Sequence, residues 1–167
     1  MIYVGGQEGS TDDVSTAASF RSPSGLAIDS AGSLFVADNF NHTIRKVSSK
    51  RRVTTLAGTA GLNGIVNGVG SNARFFYPSG ICIDQLGNVY VTDSGNHMIR
   101  KITPEGVVTD VAGSVGNFGS DNGIGDQAKF GNPEGLAVDS AGNIYVADSG
   151  NHVIRKITPN YEVTTFA

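Results

Sequence analysis

Residues 142–157 read GNIYVADSGNHVIRKI, and this stretch decides the fold. Asn143 to Asp148 is a run of β-formers, and Val153 to Ile157 is a second. Between them Ser149-Gly150-Asn151-His152 is a turn sequence. Two short β runs joined by a Gly-Asn turn predict an antiparallel hairpin. The stretch recurs as GNVYVTDSGNHMIRKI at 87–102 and as GSLFVADNFNHTIRKV at 32–47, each offset by 55 residues. Pro23, Pro78 and Pro133 keep the same spacing, as do Asp29, Asp84 and Asp139.

Outward from the hairpin, each copy gains two more runs. In the third copy Gly135 to Asp139 precedes the turn Ser140-Ala141-Gly142, and Glu162 to Phe166 follows Thr158-Pro159-Asn160-Tyr161. Four short strands, here called a to d, form an antiparallel meander. A repeat of this length with β-type content predicts the blades of a β-propeller, an all-β fold. The chain divides into an N-terminal inter-blade connection (1–22), a first blade with a long connection (23–77), a second with its own (78–132) and a third blade (133–167). The connections, 58–77 and 113–132, carry Asn67-Gly68-Val69-Gly70 with Ala73-Arg74-Phe75, and Asn122-Gly123-Ile124-Gly125 with Ala128-Lys129-Phe130. Phe20 takes the same place in copy one. Loops of this length are anchored or functional, and the repeated phenylalanine predicts an anchor between blades. One helical turn is expected at Ser71 to Phe75.

Asn-His followed by Ile-Arg-Lys-Ile or Ile-Arg-Lys-Val resembles the NHL repeat, named for Asn-His-Leu. The flanking Pro-x-Gly and Gly-Asn-Ile/Val-Tyr-Val patterns are similar to that family as well, and the likeness covers nearly all of the chain from Pro23 onward. It departs at the third letter, where Thr43, Met98 and Val153 replace Leu. The resemblance implies a β-propeller, commonly of six blades. It implies no function, because one fold hosts many.

Propellers close with four to eight blades. Three blades expose an apolar face at each end, and such faces mark interfaces. A homodimer would supply six blades, each end of one chain meeting the opposite end of the other. The other reading is a truncated or engineered fragment of a larger propeller.

Composition narrows the function classes. The 167 residues hold 23 glycines without a Gly-X-Y period, which signals turns. A net charge of −3 and the absence of tryptophan disfavour a nucleic-acid partner. No apolar run approaches a membrane span. Met1 to Gly6 has no basic or long apolar segment, so no signal peptide is expected and a cytoplasmic location is the default expectation. The single Cys82, in place of Ala27 and Ala137, reads as a small core residue.

His42, His97 and His152 are candidate metal ligands, but they lie on different blades, too far apart to share an ion. Their expected role is to brace the b–c turn. Asp38, Asp93 and Asp148 end strand b, while Arg45, Arg100 and Arg155 lie in strand c on its inward face. A buried guanidinium demands a partner, so an Asp–Arg clasp is expected in each blade. Threefold repetition argues against catalysis by these groups. Asp29, Asp84 and Asp139 are expected to set the a–b turns. No catalytic motif, cofactor or metal site is expected. The d–a connections and b–c turns share one rim, where Asn63, Asn67, Asn117, Phe118, Asp121 and Asn122 break the repeat and are candidates for binding a protein or small ligand. The expected function is a self-assembling, non-enzymatic scaffold; the alternative is a propeller lyase or hydrolase with a channel site.

Overall fold

The computed structural model describes residues 4–167; residues 1–3, part of the segment read above for a signal peptide, lie outside them. The N-terminal connection contributes β1 (Gln7–Glu8) and β2 (Ser19–Phe20), a short parallel pair. Blade one follows as β3 (Pro23–Ile28), β4 (Leu34–Asp38), β5 (Thr43–Val47) and β6 (Val53–Ala57). The next connection holds β7 (Gly68–Val69) and leads into blade two: β8 (Pro78–Ile83), β9 (Val89–Asp93), β10 (Met98–Ile102) and β11 (Val107–Gly113). The second connection holds β12 (Gly123–Ile124), and blade three is β13 (Pro133–Val138), β14 (Ile144–Asp148), β15 (Val153–Ile157) and β16 (Glu162–Thr165).

Within each blade the strands pair antiparallel in sequence order, which is the expected meander. The register also repeats: Val36 faces Arg45, Val91 faces Arg100 and Val146 faces Arg155. Each innermost strand opens at a proline, which suits a strand's first residue because it has no N–H to donate. A register shift follows at once, between Pro23 and Leu26 and at the two equivalent places.

The connections are more ordered than the sequence suggests. β7 adds to the outer edge of β11, and β12 to that of β16, so blades two and three have five strands. Val14 bridges to Arg52 and does the same for blade one. The expected helical turn is a 3₁₀ turn at Gly70–Asn72, repeated at Ser15–Ala17 and Gly125–Gln127. Covering an outer edge satisfies backbone groups that would otherwise template foreign strands.

The core lies between blades. One cluster joins Ala37, Ile44 and Ala57 of blade one to Phe75, Ile81, Val89 and Val91 of blade two and its connection. A second joins Ile99 and Val111 to Phe130, Ile144 and Val146. A third, Val36, Val47 and Val53 with Ala18, has Val4 and Phe20 of the N-terminal connection and Leu34 of blade one packed against it. Cys82 is buried as a free thiol, and burial beside Asp84 pushes its pKa up to about 12. Among the described residues, no helix is long and apolar enough to cross a membrane.

Candidate functional site

Three features recur: a clasp in each blade, a histidine brace between blades, and a rim built on both. The clasp begins where strand b ends. Asp93 Oδ2 accepts hydrogen bonds from Arg100 at 2.9 Å and from Asn96 at 2.8 Å, and its Oδ1 accepts the N–H of Phe76 at 2.6 Å. Arg100 also donates to the carbonyls of Arg74 and Val66 and to Asn67 Oδ1 at 2.7 Å, and it lies over the Phe75 ring at 5.3 Å. Asn96 donates to the Gly64 carbonyl. Asp38, Asn41 and Arg45 hold the N-terminal connection in the same way, and Asp148, Asn151 and Arg155 hold the connection that precedes blade three. All three Asp–Arg pairs have fully buried side chains.

Burial raises the Asp93 pKa to about 6, while Asn96, the Phe76 N–H and Arg100 pull it down. The Asn of each Asn-His pair, the Asp before it and the Arg after it thus form one unit that fastens a long connection. Arg45 Nε and Arg155 Nε are buried without a hydrogen-bond partner. Arg100 Nε lies 2.7 Å from Asp110 Oδ1, an ionic contact rather than a well-aligned hydrogen bond. Thr55 and Thr165 occupy that position in the other blades.

The histidines cap the 3₁₀ b–c turns in the left-handed conformation, with φ of 58°, 58° and 59°. The side chains of His42 and His97 reach forward to the following blade. His42 Nδ1 accepts the N–H of Tyr77, and His97 Nδ1 that of Asn132, both at 3.2 Å. An accepting Nδ1 places the ring proton on Nε2. Burial and the nearby Arg21 lower the His42 pKa, against the Asn39 backbone, and so favour the neutral ring this bond requires. Tyr77 and Asn132 precede the strand-opening prolines with φ of 51° and 55°; Ser22 has φ of 54° at the same place in blade one. His152 is exposed on the far face of blade three, in a cavity of about 410 Å³ shared with Ser149, Ile154 and Ala167.

The end faces differ from the internal seams in burial, not in residue type. Ile44 and Ile99 are 0% exposed, whereas Ile154 is 38% exposed. Val111 is 2% exposed and Phe166, its equivalent, is 62% exposed. On the opposite end Leu26 is 66% exposed, while Ile81 is 6% exposed.

The six rim candidates divide into two groups. Asn67 and Asn122 accept from the clasp arginines, and Asp121 pairs with Lys129 Nζ at 2.6 Å, which lowers its carboxyl pKa. Asn63, Asn117 and Phe118 stand exposed at the loop crests, with Phe118 edge-on to His97 at 5.8 Å. The structure adds an aromatic patch on this rim that sequence reasoning passed over. His42, Phe76 and Tyr77 pack together, and Phe40 meets Tyr77 at 5.6 Å. The signal was present: Phe40 stands where the other copies have Gly95 and Gly150, and Phe76 where they have Arg21 and Gly131. Among the described residues, no group of three or more His, Cys, Asp or Glu side chains converges on a point that could hold a metal ion.

Four-stranded meanders packed face to face, each fastening a long connection with a repeated Asp–Asn–Arg clasp, define a run of β-propeller blades. The NHL repeat profile matches residues 20–47, 75–102 and 130–157, and the chain belongs to the NHL repeat family. It is 39% identical over 153 residues to NHL repeat-containing protein 2 of Bos taurus, covering 83% of this chain and 21% of that protein. The chain therefore spans about a fifth of that relative. An auxiliary nutrient binding protein from Bacteroides ovatus superposes with a TM-score of 0.73 at 23% identity, covering 92% of this chain and 40% of the other. One from Bacteroides thetaiotaomicron gives 0.69 at 24% identity, with 85% and 37% covered. At such identity these two structures speak to the fold alone.

Proposed function

We propose that the chain is a non-enzymatic propeller module that closes a six-bladed ring with a second copy and binds a protein or small ligand on the rim of long connections. One observation carries the reading: the contacts that couple blade one to two, and two to three, have their unpaired halves at the two ends. His152 has the place of His42 and His97, and Ser22 that of Tyr77 and Asn132. Ser149 aligns with Ser94, which donates to the Pro133 carbonyl across a seam. Ile154 and Phe166 are the residue types that would complete the cluster around Val36, Val47 and Val53. Exposed apolar surface of this kind is stabilised by burial, at ~25 cal/mol per Å².

Gly135 supplies the test. At the internal seams a Cβ on Gly25 would lie 2.3 Å from the Ser79 carbonyl oxygen, and one on Gly80 would lie 2.0 Å from that of Glu134. On Gly135 the nearest atom is Ala147 Cβ at 3.9 Å, an ordinary contact. Gly135→Val, whose Cβ meets only that contact, is therefore expected to leave the isolated chain folded and to block a third seam of the same kind. Light scattering on the eluting protein is expected to give twice 17.3 kDa for the parent and the single mass for Gly135→Val, with unchanged circular dichroism. A parent protein that is monomeric at every concentration, or a Gly135→Val protein that still dimerises, refutes ring closure. Rim binding is tested by replacing Phe40, Phe118 and Asn117 with alanine and measuring retention of any ligand found for the parent.

A further inference from the structure

The groove between blades one and two differs from its counterpart between blades two and three. In the second groove Tyr161, from the c–d turn of blade three, packs with Tyr90, Leu136 and Val138 against the interblade core. The equivalent of Tyr161 in blade two is Gly106. The first groove accordingly holds a cavity of about 610 Å³, with Phe35, Leu56 and Val89 among its apolar walls and Asp29, Lys46 and Thr103 among its polar ones. That volume falls in the range of small-molecule sites, roughly 300–1,000 Å³.

A second difference sits at its mouth. Asp84 Oδ2 accepts from Asn88 Nδ2 at 2.8 Å and from the Tyr90 hydroxyl at 3.2 Å; Asp139 Oδ2 accepts likewise from Asn143 and Tyr145. Blade one has Ser33 and Phe35 at those positions, so neither donor exists for Asp29, whose Oδ1 still accepts the N–H groups of Ala31 and Ser33. Lys46 Nζ lies 5.2 Å above the Phe35 ring and stands beside the same cavity. One groove has thus lost both a phenol ring and a phenol hydroxyl that its sister retains.

We propose that the cleft between blades one and two is a binding site for a small aromatic alcohol, its ring in the space that Tyr161 fills in the sister groove and its hydroxyl donating to Asp29. The ring fits because the walls are apolar and Lys46 offers a cation to the π face. The hydroxyl fits because a carboxylate oxygen at a partly buried position gains from a donor. This goes beyond the assembly reading, since both walls belong to one chain.

The test is an amide chemical-shift titration with p-cresol, a free tyrosine side chain, and with 4-methylanisole, whose oxygen cannot donate. Saturable shifts are expected around Ala31, Phe35, Gly87 and Thr103, with p-cresol binding several-fold more tightly than the ether. Gly106→Tyr is expected to fill the cleft and weaken p-cresol at least tenfold. Phe35→Tyr returns the hydroxyl that Tyr90 supplies to Asp84, and is expected to bring p-cresol down to the level of the ether. Phe35→Tyr copies the other blades, so it decides the matter even if Gly106→Tyr folds poorly. Shifts that do not saturate, that centre elsewhere, or that both variants leave unchanged overturn the site. Gly135→Val is expected to bind p-cresol as the parent does, so failure of ring closure and failure of this site read out separately.

Discussion

Replacing Arg100 with methionine removes the cation of the central clasp while keeping an unbranched side chain of similar reach. Five polar contacts go with it, to Asp93, to the Arg74 and Val66 carbonyls, to Asn67 and to Asp110, as does the cation over the Phe75 ring. The dominant cost is what remains, a fully buried Asp93 carboxylate without its counter-charge. Breaking a buried pair from one side costs about 3–5 kcal/mol. For a domain of this size each kcal/mol moves Tm by roughly 2–4 °C, so the melt is expected to fall by about 6–20 °C. Thermal and urea unfolding in a Gly135→Val background keep assembly out of the measurement.

The pH dependence has a definite sign. The Asp93 pKa stands at about 6 when folded, against an ordinary 3.8. A raised carboxyl contributes stability that is complete below the ordinary value and is lost as pH rises through the folded one. Arg100 is one of the groups pulling that pKa down. Without it the folded value climbs further, so holding Asp93 charged costs more. The deficit of Arg100→Met is therefore expected to be larger at pH 8 than at pH 5. Adding Asp93→Asn to Arg100→Met removes the stranded charge, so the double variant is expected to be more stable than Arg100→Met alone. A deficit below ~1 kcal/mol at pH 8, the scale of an exposed pair, would refute the clasp as a buried charge unit.

Thr165→Asp copies the Asp110 arrangement beside Arg155 Nε and is expected to raise stability by up to about 1 kcal/mol in urea titrations, because it sets a carboxylate beside a buried guanidinium. His42→Ala is expected to cost about 1–2 kcal/mol through loss of the Tyr77 bond and ring packing. The lowered His42 pKa makes the parent lose stability as pH falls below the ordinary 6.5, and His42→Ala should flatten that part of the stability–pH curve. Cys82, with its pKa pushed up to about 12, is expected to resist Ellman's reagent at pH 8 until urea unfolds the chain.

Periodicity made the blades legible. The inward face of strand c can be counted along Val153, Arg155 and Ile157, so a buried arginine is readable from the sequence alone, and Asp148 is the one nearby carboxylate in the hairpin. The rest of the clasp was hidden because its partners are backbone carbonyls: Val66, Arg74 and Gly64 are chosen by loop geometry, not by side-chain type. The outer strands were hidden too, since Gly68–Val69 and Gly123–Ile124 are too short to show alternation. Asn67 and Asn122 read as rim residues from their place in a long loop, and they are also clasp acceptors; Asp12 fills the same role in copy one at 2.6 Å from Arg45.

The three copies form an internal control, and the control separates two kinds of position. Where all copies agree, as at Asp38, Asp93 and Asp148, the residue answers to the blade itself, and its surroundings agree too. Where residue types agree but burial does not, as between Ile99 and Ile154, the difference lies in the neighbour that follows. Where the residues themselves differ inside one groove, as at Gly106 and Tyr161 or Phe35 and Tyr90, neither blade geometry nor a neighbour requires it. This last class is free to carry recognition of something other than a further blade. Binding is therefore to be sought where identical scaffolding holds unlike side chains: the aromatic patch at Phe40 and Tyr77, and the cleft above Phe35.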